Sequence, residues 1–325
     1  KSFIRQRKNE SGIVYCLSRK STEKVANQLS NKNLTVKAYH AGMENRLRDQ
    51  RQKKFVYDEI DIICATVAFG MGIDKSNIRW VIHYNLPKNI ESYYQQIGRA
   101  GRDGAESRAV LFYNPGDFGK LRNFAQDSGQ TDLQMAKLKH MKNFAEAKVC
   151  RRKILLNYFG EDYDEQCNNC DNCEQNISNS EDSESAYKIL SALARVNTTL
   201  NINTLIDILR GNNTMKVRTE KYNEIKTFAE GENLAAKKWE YYINQLVNLG
   251  FLRYSYDNYK KITLTKKGKK ALNDLRTIHF LDEPKVSKTQ KVDFNAKDQK
   301  TEENKQKDDL YSRLRNLRKK LSRKQ

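Results

Sequence analysis

Short apolar runs alternate with helical patterns through the first 115 residues, and that alternation constrains the fold more than any other feature. Gly-Ile-Val-Tyr-Cys-Leu at 12–17, Val-Lys-Ala-Tyr at 36–39, Asp-Ile-Ile-Cys-Ala-Thr at 61–66, Trp-Val-Ile-His-Tyr at 80–84 and Ala-Val-Leu-Phe-Tyr at 109–113 read as strands. Helical patterns occupy 22–29, 44–55 and 90–97, with Ser21 placed to cap the first of them. Strands separated by helices imply a parallel sheet covered on both faces. Ligands of such a sheet bind at the loops beyond the carboxyl ends of its strands.

From 118 to 159 only helix patterns remain, and a cysteine cluster closes that block. Residues 174–185 are polar and acidic without aromatics and read as a linker. A second globular unit follows, with helical runs at 186–195, 202–209 and 235–249. A hairpin pattern comes next, from 251–256 through Asp257-Asn258 to 259–265. Three helices and then strand–turn–strand is the order of a winged helix. The expected architecture is therefore an α/β parallel-sheet lobe (1–117), a helical metal-binding subdomain (118–176), a linker (177–185) and an α+β winged-helix domain (186–282). A disordered stretch (283–307) and the start of a further helical piece (308–325) should end the chain; in the latter, Leu310, Leu314, Leu317 and Leu321 fall at helical spacing.

Composition adds two constraints. A hydrophobic share of 38% is low for one compact globule and fits domains joined by solvated segments. A formal charge of +20, from 60 Lys and Arg, favours a polyanionic partner, because cations near phosphates release condensed counterions. The rival is a basic protein with no such partner. No window approaches the ~20 apolar residues of a membrane span, and the first residues carry no apolar signal-peptide core. The chain opens on Lys1 rather than Met, which suggests a piece of a longer protein.

Two constellations carry chemistry. In Gln95-Gln96-Ile97-Gly98-Arg99-Ala100-Gly101-Arg102-Asp103-Gly104, Arg99 and Arg102 lie three residues apart among glycines. Such a pair suits a triphosphate presented by a neighbouring lobe, since a fixed guanidinium stabilises charge on a transferred phosphoryl group. The plain alternative is a glycine-rich turn with solvated arginines. In the second constellation Cys150 precedes Cys167, Cys170 and Cys173. Cysteines at intervals of three, joined by a fourth, suit a closed tetrahedral zinc site. An iron–sulfur cluster is the rival. Cys16 and Cys64 stand alone in apolar runs.

These stretches are not isolated. Ala-Thr-Val-Ala-Phe-Gly-Met-Gly-Ile-Asp at 65–74, His-Tyr-Asn-Leu-Pro-Lys-Asn-Ile-Glu-Ser-Tyr-Tyr at 83–94 and the run 95–104 resemble motifs V and VI of superfamily 2 helicases, in the wording of the RecQ family. Tyr-His-Ala-Gly-Met at 39–43 and Val-Tyr-Cys-Leu-Ser-Arg at 14–19 resemble the preceding motifs of the same lobe. Cys-Arg-Arg at 150–152, Leu-Leu-Asn-Tyr-Phe-Gly-Glu at 155–161 and Cys-Asn-Asn-Cys-Asp-Asn-Cys at 167–173 resemble the RecQ zinc-binding subdomain. Ile-Leu-Arg-Gly-Asn-Asn at 208–213 and 239–250 resemble its winged helix.

The resemblance implies roles for particular residues. Arg102 would be the arginine finger, Arg99 a second nucleotide contact, and Gln95 a coupler to the other lobe. Asp74 and Gly72 would touch the nucleotide at the lobe interface. Ser18, Arg19 and Thr66 would meet single-stranded DNA phosphates, although Ser18 and Thr66 could equally cap a helix or turn. His40 would contact DNA or close a turn. In the winged helix, Lys237 and Lys238 would meet duplex phosphates, with Arg210, Lys216 and Arg218 in a flanking loop. Tyr256 or Tyr259 at the wing tip could stack on the terminal base pair. Trp239, Ile243, Leu246 and Leu249 form an apolar stripe and read as core.

No Gly-x-x-x-x-Gly-Lys-[Ser/Thr] run and no Asp-Glu-x-His occur in the sequence. A motor of this class needs the first to cradle phosphates and the second to hold Mg²⁺. Both would belong to a lobe preceding Lys1, so this chain alone is expected neither to bind ATP tightly nor to hydrolyse it. The resemblance implies an ATP-dependent 3′–5′ DNA helicase in recombination, repair and the SOS response, with Zn²⁺, ATP and Mg²⁺ as cofactors. Its implied partners are single-stranded, duplex and forked DNA and a single-strand-binding protein. The protein would be a monomer, cytoplasmic and nucleoid-associated in a bacterium or nuclear in a eukaryote. The rivals are a non-catalytic, zinc-stabilised DNA-binding module and an RNA helicase.

Overall fold

The computed structural model describes residues 2–281 and Arg313, apart from 8, 32, 33, 68, 71–73, 176–178, 256–260 and 276. Gly72, Tyr256, Tyr259, the 283–307 stretch and the leucines at 310, 314, 317 and 321 lie outside the described residues. The described residues form two compact units, one up to Lys120 and the other from Leu121 onward.

The first unit holds α1 (Ser2–Gln6), β1 (Ser11–Tyr15), α2 (Arg19–Leu29), β2 (Val36–Tyr39), α3 (Asn45–Val56), β3 (Ile62–Ala65), β4 (Ile78–His83), α4 (Ile90–Ile97) and β5 (Arg108–Leu111). Its five strands pair in the order β2-β3-β1-β4-β5, all parallel. Successive side chains point to opposite faces, which builds two cores. Val14, Cys64, Trp80 and Ile82 pack with Phe3, Val25 and Ala26 of α1 and α2. Ile13, Tyr15, Ile63 and Val81 pack with Phe55 and Phe69 on the other side. Gly12 is the second residue of β1, where the indole of Trp80 fills the space beside it; a Cβ there would stand 2.2 Å from the ring.

The cap of α2 corrects the expectation built on Ser21. Ser18 is the N-cap: its Oγ accepts from the Ser21 backbone N–H at 3.1 Å. Ser21 occupies the third helical position and its Oγ accepts from the Ser18 N–H at 3.1 Å, completing a capping box. A serine pair at this spacing can be read from either end, and the reciprocal bonds decide it.

Charge is buried where sequence patterning gives no sign of it. Lys75 Nζ donates to Asp58 Oδ1 at 2.6 Å, and both side chains are wholly inaccessible. Ser11 Oγ and Asn77 Nδ2 also donate to that oxygen, at 3.2 and 3.4 Å. The pair ties the segment entering β4 to the end of α3. Lys75→Met should lower the unfolding free energy of this unit by about 3–5 kcal/mol, because it strands a buried carboxylate without its cation. The double variant Lys75→Met/Asp58→Leu should recover most of that in thermal melting. A double variant as unstable as the single one would show that the pair contributes as packing rather than as charge.

After α5 (Pro115–Gln126), the second unit carries α6 (Thr131–Glu146), α7 (Arg151–Tyr158), α8 (Asp171–Glu174), β6 (Asn179–Glu181), α9 (Ser183–Val196), β7 (Leu200–Asn201), α10 (Ile202–Arg210), α11 (Met215–Thr219), α12 (Ala236–Asn248), β8 (Leu252–Tyr254), β9 (Lys261–Leu264), α13 (Lys266–Asp274) and β10 (His279–Leu281). Strands β7, β9 and β8 form an antiparallel sheet under α9, α10 and α12, the winged-helix arrangement. Trp239, Ile243 and Leu246 are buried in its core, whereas Leu249, the fourth residue of the expected stripe, is half-buried outside it. The Trp239 Nε1–H donates to Gly231 O at 3.0 Å.

The expected linker at 177–185 is a correction. Within it, β6 pairs antiparallel with β10, and α9 starts at Ser183, capped by Asp182. A two-stranded ribbon is held by its backbone and needs no apolar pattern, so polar residues serve. Gln245 joins the ribbon to α12, donating from Nε2 to Leu281 O at 3.0 Å and accepting at Oε1 from Leu281 N at 2.9 Å. Lys216 and Arg218 are also corrected: they lie on the short helix α11, capped by Thr214, rather than in a loop.

The helical block packs directly on the winged helix. Asn143 Nδ2 donates to Asn244 Oδ1 at 3.0 Å, and Asn157 Nδ2 to Asn248 O at 3.3 Å. The rings of His140 and Tyr254 meet edge-on with centroids 3.8 Å apart. Lys267 on α13 pairs with Asp162 and Asp164, in the segment leading to the last three cysteines.

Candidate functional site

The turn after α4 is braced by residues outside it. Asn89 caps α4, accepting at Oδ1 from Ser92 N at 2.8 Å, and the helix ends at Gly98. The Gly101 N–H then donates to Ile78 O at 2.9 Å, fixing the turn to the amino end of β4. Arg79, which the sequence reading did not single out, forms an ion pair with Asp103. It also donates to the backbone oxygens of Ser76, Asn77 and Glu106, each at 3.3 Å. Burial pushes the Asp103 carboxyl up, but Arg79's hydrogen bond and charge and the Ala105 amide outweigh it, and the group sits below its ordinary range.

On this frame Arg102 is exposed, with Nε donating to Gly98 O at 3.5 Å. Gln95 and Asp74 are also exposed. Arg99 is half-buried and lies against Gly70, whose φ of +135° suits glycine. A Cβ at Gly70 would stand 2.4 Å from Arg99 Nε. That nitrogen is buried with no hydrogen-bond partner among the described residues. Two segments about thirty residues apart in sequence thus meet at Gly70 and Arg99.

At the carboxyl ends of the strands the side chains differ in availability. The hydroxyl of Ser18 serves the α2 cap while remaining exposed. Arg19 is exposed beside Gly42, where a Cβ would stand 2.8 Å from Nη1. Thr66 is half-buried, and its carbonyl accepts from the Phe69 N–H at 3.1 Å. His40 is buried, with Nε2 3.1 Å from Glu23 Oε1. That geometry favours the turn-closing alternative over a DNA contact.

The four cysteines converge. Cys150 precedes α7 and Cys170 caps α8. All four sulfurs lie within 4.8 Å of one another, with Cys170–Cys173 at 3.5 Å and Cys167–Cys173 at 3.9 Å. A tetrahedron with Zn–S bonds of ~2.3 Å has edges of ~3.8 Å, so the set fits such an ion. Around it, Arg151 grips Asp171 with two hydrogen bonds of 3.1 Å, and its backbone N–H donates to Cys170 Sγ at 3.4 Å. The buried Asn172 donates to Ala147 O at 2.9 Å and to Val149 O at 2.7 Å. These bonds hold the loop bearing Cys150 against the Cys170–Cys173 turn. Burial and the neighbouring thiols push Cys173 up to about 12. Four crowded sulfurs resist shared ionisation, and a cation relieves that.

In the winged helix, Lys237 is exposed in the first turn of α12. Lys238 leans over the Tyr242 ring, 4.8 Å from its centroid, and is only partly available to a partner. Arg210 ends α10 half-buried.

Three family models match in succession: the helicase conserved C-terminal domain over 1–104, RecQ zinc-binding over 115–174 and the RQC domain over 178–289. This chain belongs to the RecQ helicase family. It is 36% identical over 324 residues to the ATP-dependent DNA helicase RecQ of Pasteurella multocida, covering 98% of this chain and 51% of that protein. The RecQ of Haemophilus influenzae is 37% identical over 324 residues, covering 98% and 52%. That of Bacillus subtilis is 29% identical over 323 residues, covering 98% and 52%. The chain thus spans about half the length of these curated relatives. The RecQ zinc-binding match coincides with the cysteine centre and favours zinc over an iron–sulfur cluster. Among the described residues no helix is long and apolar enough to cross a membrane.

Sequence reasoning passed over Arg79, Asp103, Lys75 and Asp58 in this RecQ lobe. Only Arg79 stands out in sequence, as a charge inside an apolar run, and nothing in a linear pattern names the partners of any of the four.

Proposed function

We propose that this chain supplies the nucleotide-sensing lobe and the DNA-gripping platform of an ATP-dependent DNA helicase acting in recombination and repair with 3′–5′ polarity. The observation that carries this reading is the braced turn that presents Arg102 to solvent beside a half-buried Arg99. An exposed guanidinium carried on a braced turn is poised for charge on a partner, and charge developing on a transferred phosphoryl group is the strongest such target. A Walker-type lobe would present ATP and Mg²⁺, Arg102 and Arg99 would close on the phosphates, and Gln95 and Asp74 would line the junction. Arg19 would meet the phosphates of the translocating strand. Lys237 would hold the duplex, and the four-cysteine zinc centre would fix the helical block on which the winged helix rests.

The test compares this chain with the same chain joined to a Walker-motif lobe. The joined protein is expected to hydrolyse ATP in response to single-stranded DNA and to unwind a forked duplex bearing a 3′ tail in preference to a 5′ tail. The chain alone is expected to bind both DNAs and do neither. Hydrolysis by the chain alone would overturn this assignment of roles, and a preference for RNA would replace the substrate.

A further inference from the structure

Tyr15 ends β1 between the two segments that meet at Gly70 and Arg99. Its side chain is buried, 4% exposed, and its hydroxyl donates to Phe69 O at 3.1 Å, on the peptide that leads into Gly70. The Arg99 guanidinium lies against that same glycine, where a Cβ would stand 2.6 Å from Cζ. Burial pushes the Tyr15 phenol up to about 12, although the nearby Arg99 charge pulls the other way. The hydroxyl therefore keeps its proton at neutral pH.

A face of the ring is also engaged. Tyr15 stacks on His83, with centroids 5.4 Å apart and planes 21° from parallel. The His83 Nε2–H donates to Gln96 Oε1 at 2.7 Å. Burial holds His83 well below its ordinary range, to about 4, so the ring stays neutral and keeps that donor arrangement. Gln96 is buried on α4, three residues before Arg99. From Gln96 through His83 and Tyr15 to Phe69, a continuous chain of contacts spans from the helix that delivers Arg99 to the loop Arg99 lies upon.

We propose that Tyr15 is a positioning residue for Arg99: its hydroxyl fixes the Phe69–Gly70 backbone on which the guanidinium rests, while its ring locks that seat to α4 through His83 and Gln96. The proposal rests on reading Arg99 as a nucleotide contact, and it adds what holds that contact in place. If the tyrosine only filled space, phenylalanine would serve as well, because the ring volume is unchanged.

Tyr15→Phe separates the two. In this chain, the Arg99 Nε–H resonance, assigned by its loss in Arg99→Lys, should shift in Tyr15→Phe and exchange with water at least about ten-fold faster, because losing the bond to Phe69 O frees the backbone that covers it. The melting temperature should stay nearly constant. In the chain joined to a Walker-motif lobe, Tyr15→Phe should lower kcat about ten-fold at unchanged KM for ATP and unchanged DNA affinity. An unmoved Arg99 resonance, or wild-type kcat in Tyr15→Phe where Arg99→Ala is inactive, would overturn the proposal. If Arg99→Ala hydrolyses ATP normally, the nucleotide reading of Arg99 fails instead, and the resonance still decides whether Tyr15 holds it.

Discussion

Arg102→Ala, made in the chain joined to a Walker-motif lobe, should lower ATP turnover by about 10³-fold or more, the range of a lost arginine finger. Three features make the loss specific to catalysis. The side chain is exposed, so truncation opens no cavity. The turn that carries it is held by Gly101 on Ile78 and by Arg79 on Asp103, neither of which involves the Arg102 side chain. The contact of its Nε with Gly98 O, at 3.5 Å, is weak. The loss should therefore fall on kcat, with KM for ATP changed far less, because the interaction grows as charge develops in the transition state. Single-stranded DNA affinity should stay within about two-fold, since no phosphate-binding cation is lost from the strand-end rim. Arg102→Lys should restore little, because a point charge on a flexible stem does not reproduce a planar fork. Equal losses of turnover, DNA binding and melting temperature would show instead that Arg102 holds the fold. Arg79→Ala provides the contrast: by removing the brace it should lower both turnover and melting temperature.

The parts of this architecture that the sequence makes legible are those written in contiguous residues. The inner strands β1 and β3 of the first unit are largely apolar because both faces of the sheet are covered there, and the helix at 90–97 appears in the structure with the same bounds. The cysteine set is legible because metal ligation needs one residue type at fixed spacing. What escaped is of two kinds. Polar residues that act through the backbone leave no periodic trace, so the ribbon of β6 and β10 read as a linker and Ser21 was taken for the cap that Ser18 provides. Partnerships across long separations leave none either: Lys75 with Asp58, Arg79 with Asp103, and Tyr15 with Phe69 join residues 17, 24 and 54 apart. His40 shows the limit of motif reasoning. The residue follows a strand as a DNA contact would, and burial against Glu23 turns it inward.

Removing the metal should unfold the helical block while sparing the winged-helix core. No element between Ala147 and Glu174 exceeds eight residues, too short to hold helical structure without tertiary support. Their support is the sulfur cluster with the Arg151–Asp171 and Asn172 bonds around it. Structural zinc contributes on the order of 10 kcal/mol to small domains of this kind, more than those peripheral bonds can replace. A chelator strong enough to strip the ion, or Cys170→Ser, should therefore abolish the melting transition of this block or lower it by about 10 °C or more. The core around Trp239, Ile189 and Leu246 shares no residue with the cysteine centre and should keep its own transition. Asn143, Asn157 and Lys267 reach from one to the other, so that second transition should shift downward by a smaller amount. Cys64→Ser is the control: Cys64 is wholly buried in the first unit, and its loss should leave the metal content unchanged at about one ion per chain. Because thiolates are the ligands, metal affinity should weaken as pH falls and protons compete for sulfur. An unaltered melting profile after complete metal removal would refute a structural role. Bound iron with a broad visible absorbance would replace zinc by a cluster while leaving the cysteines as its ligands.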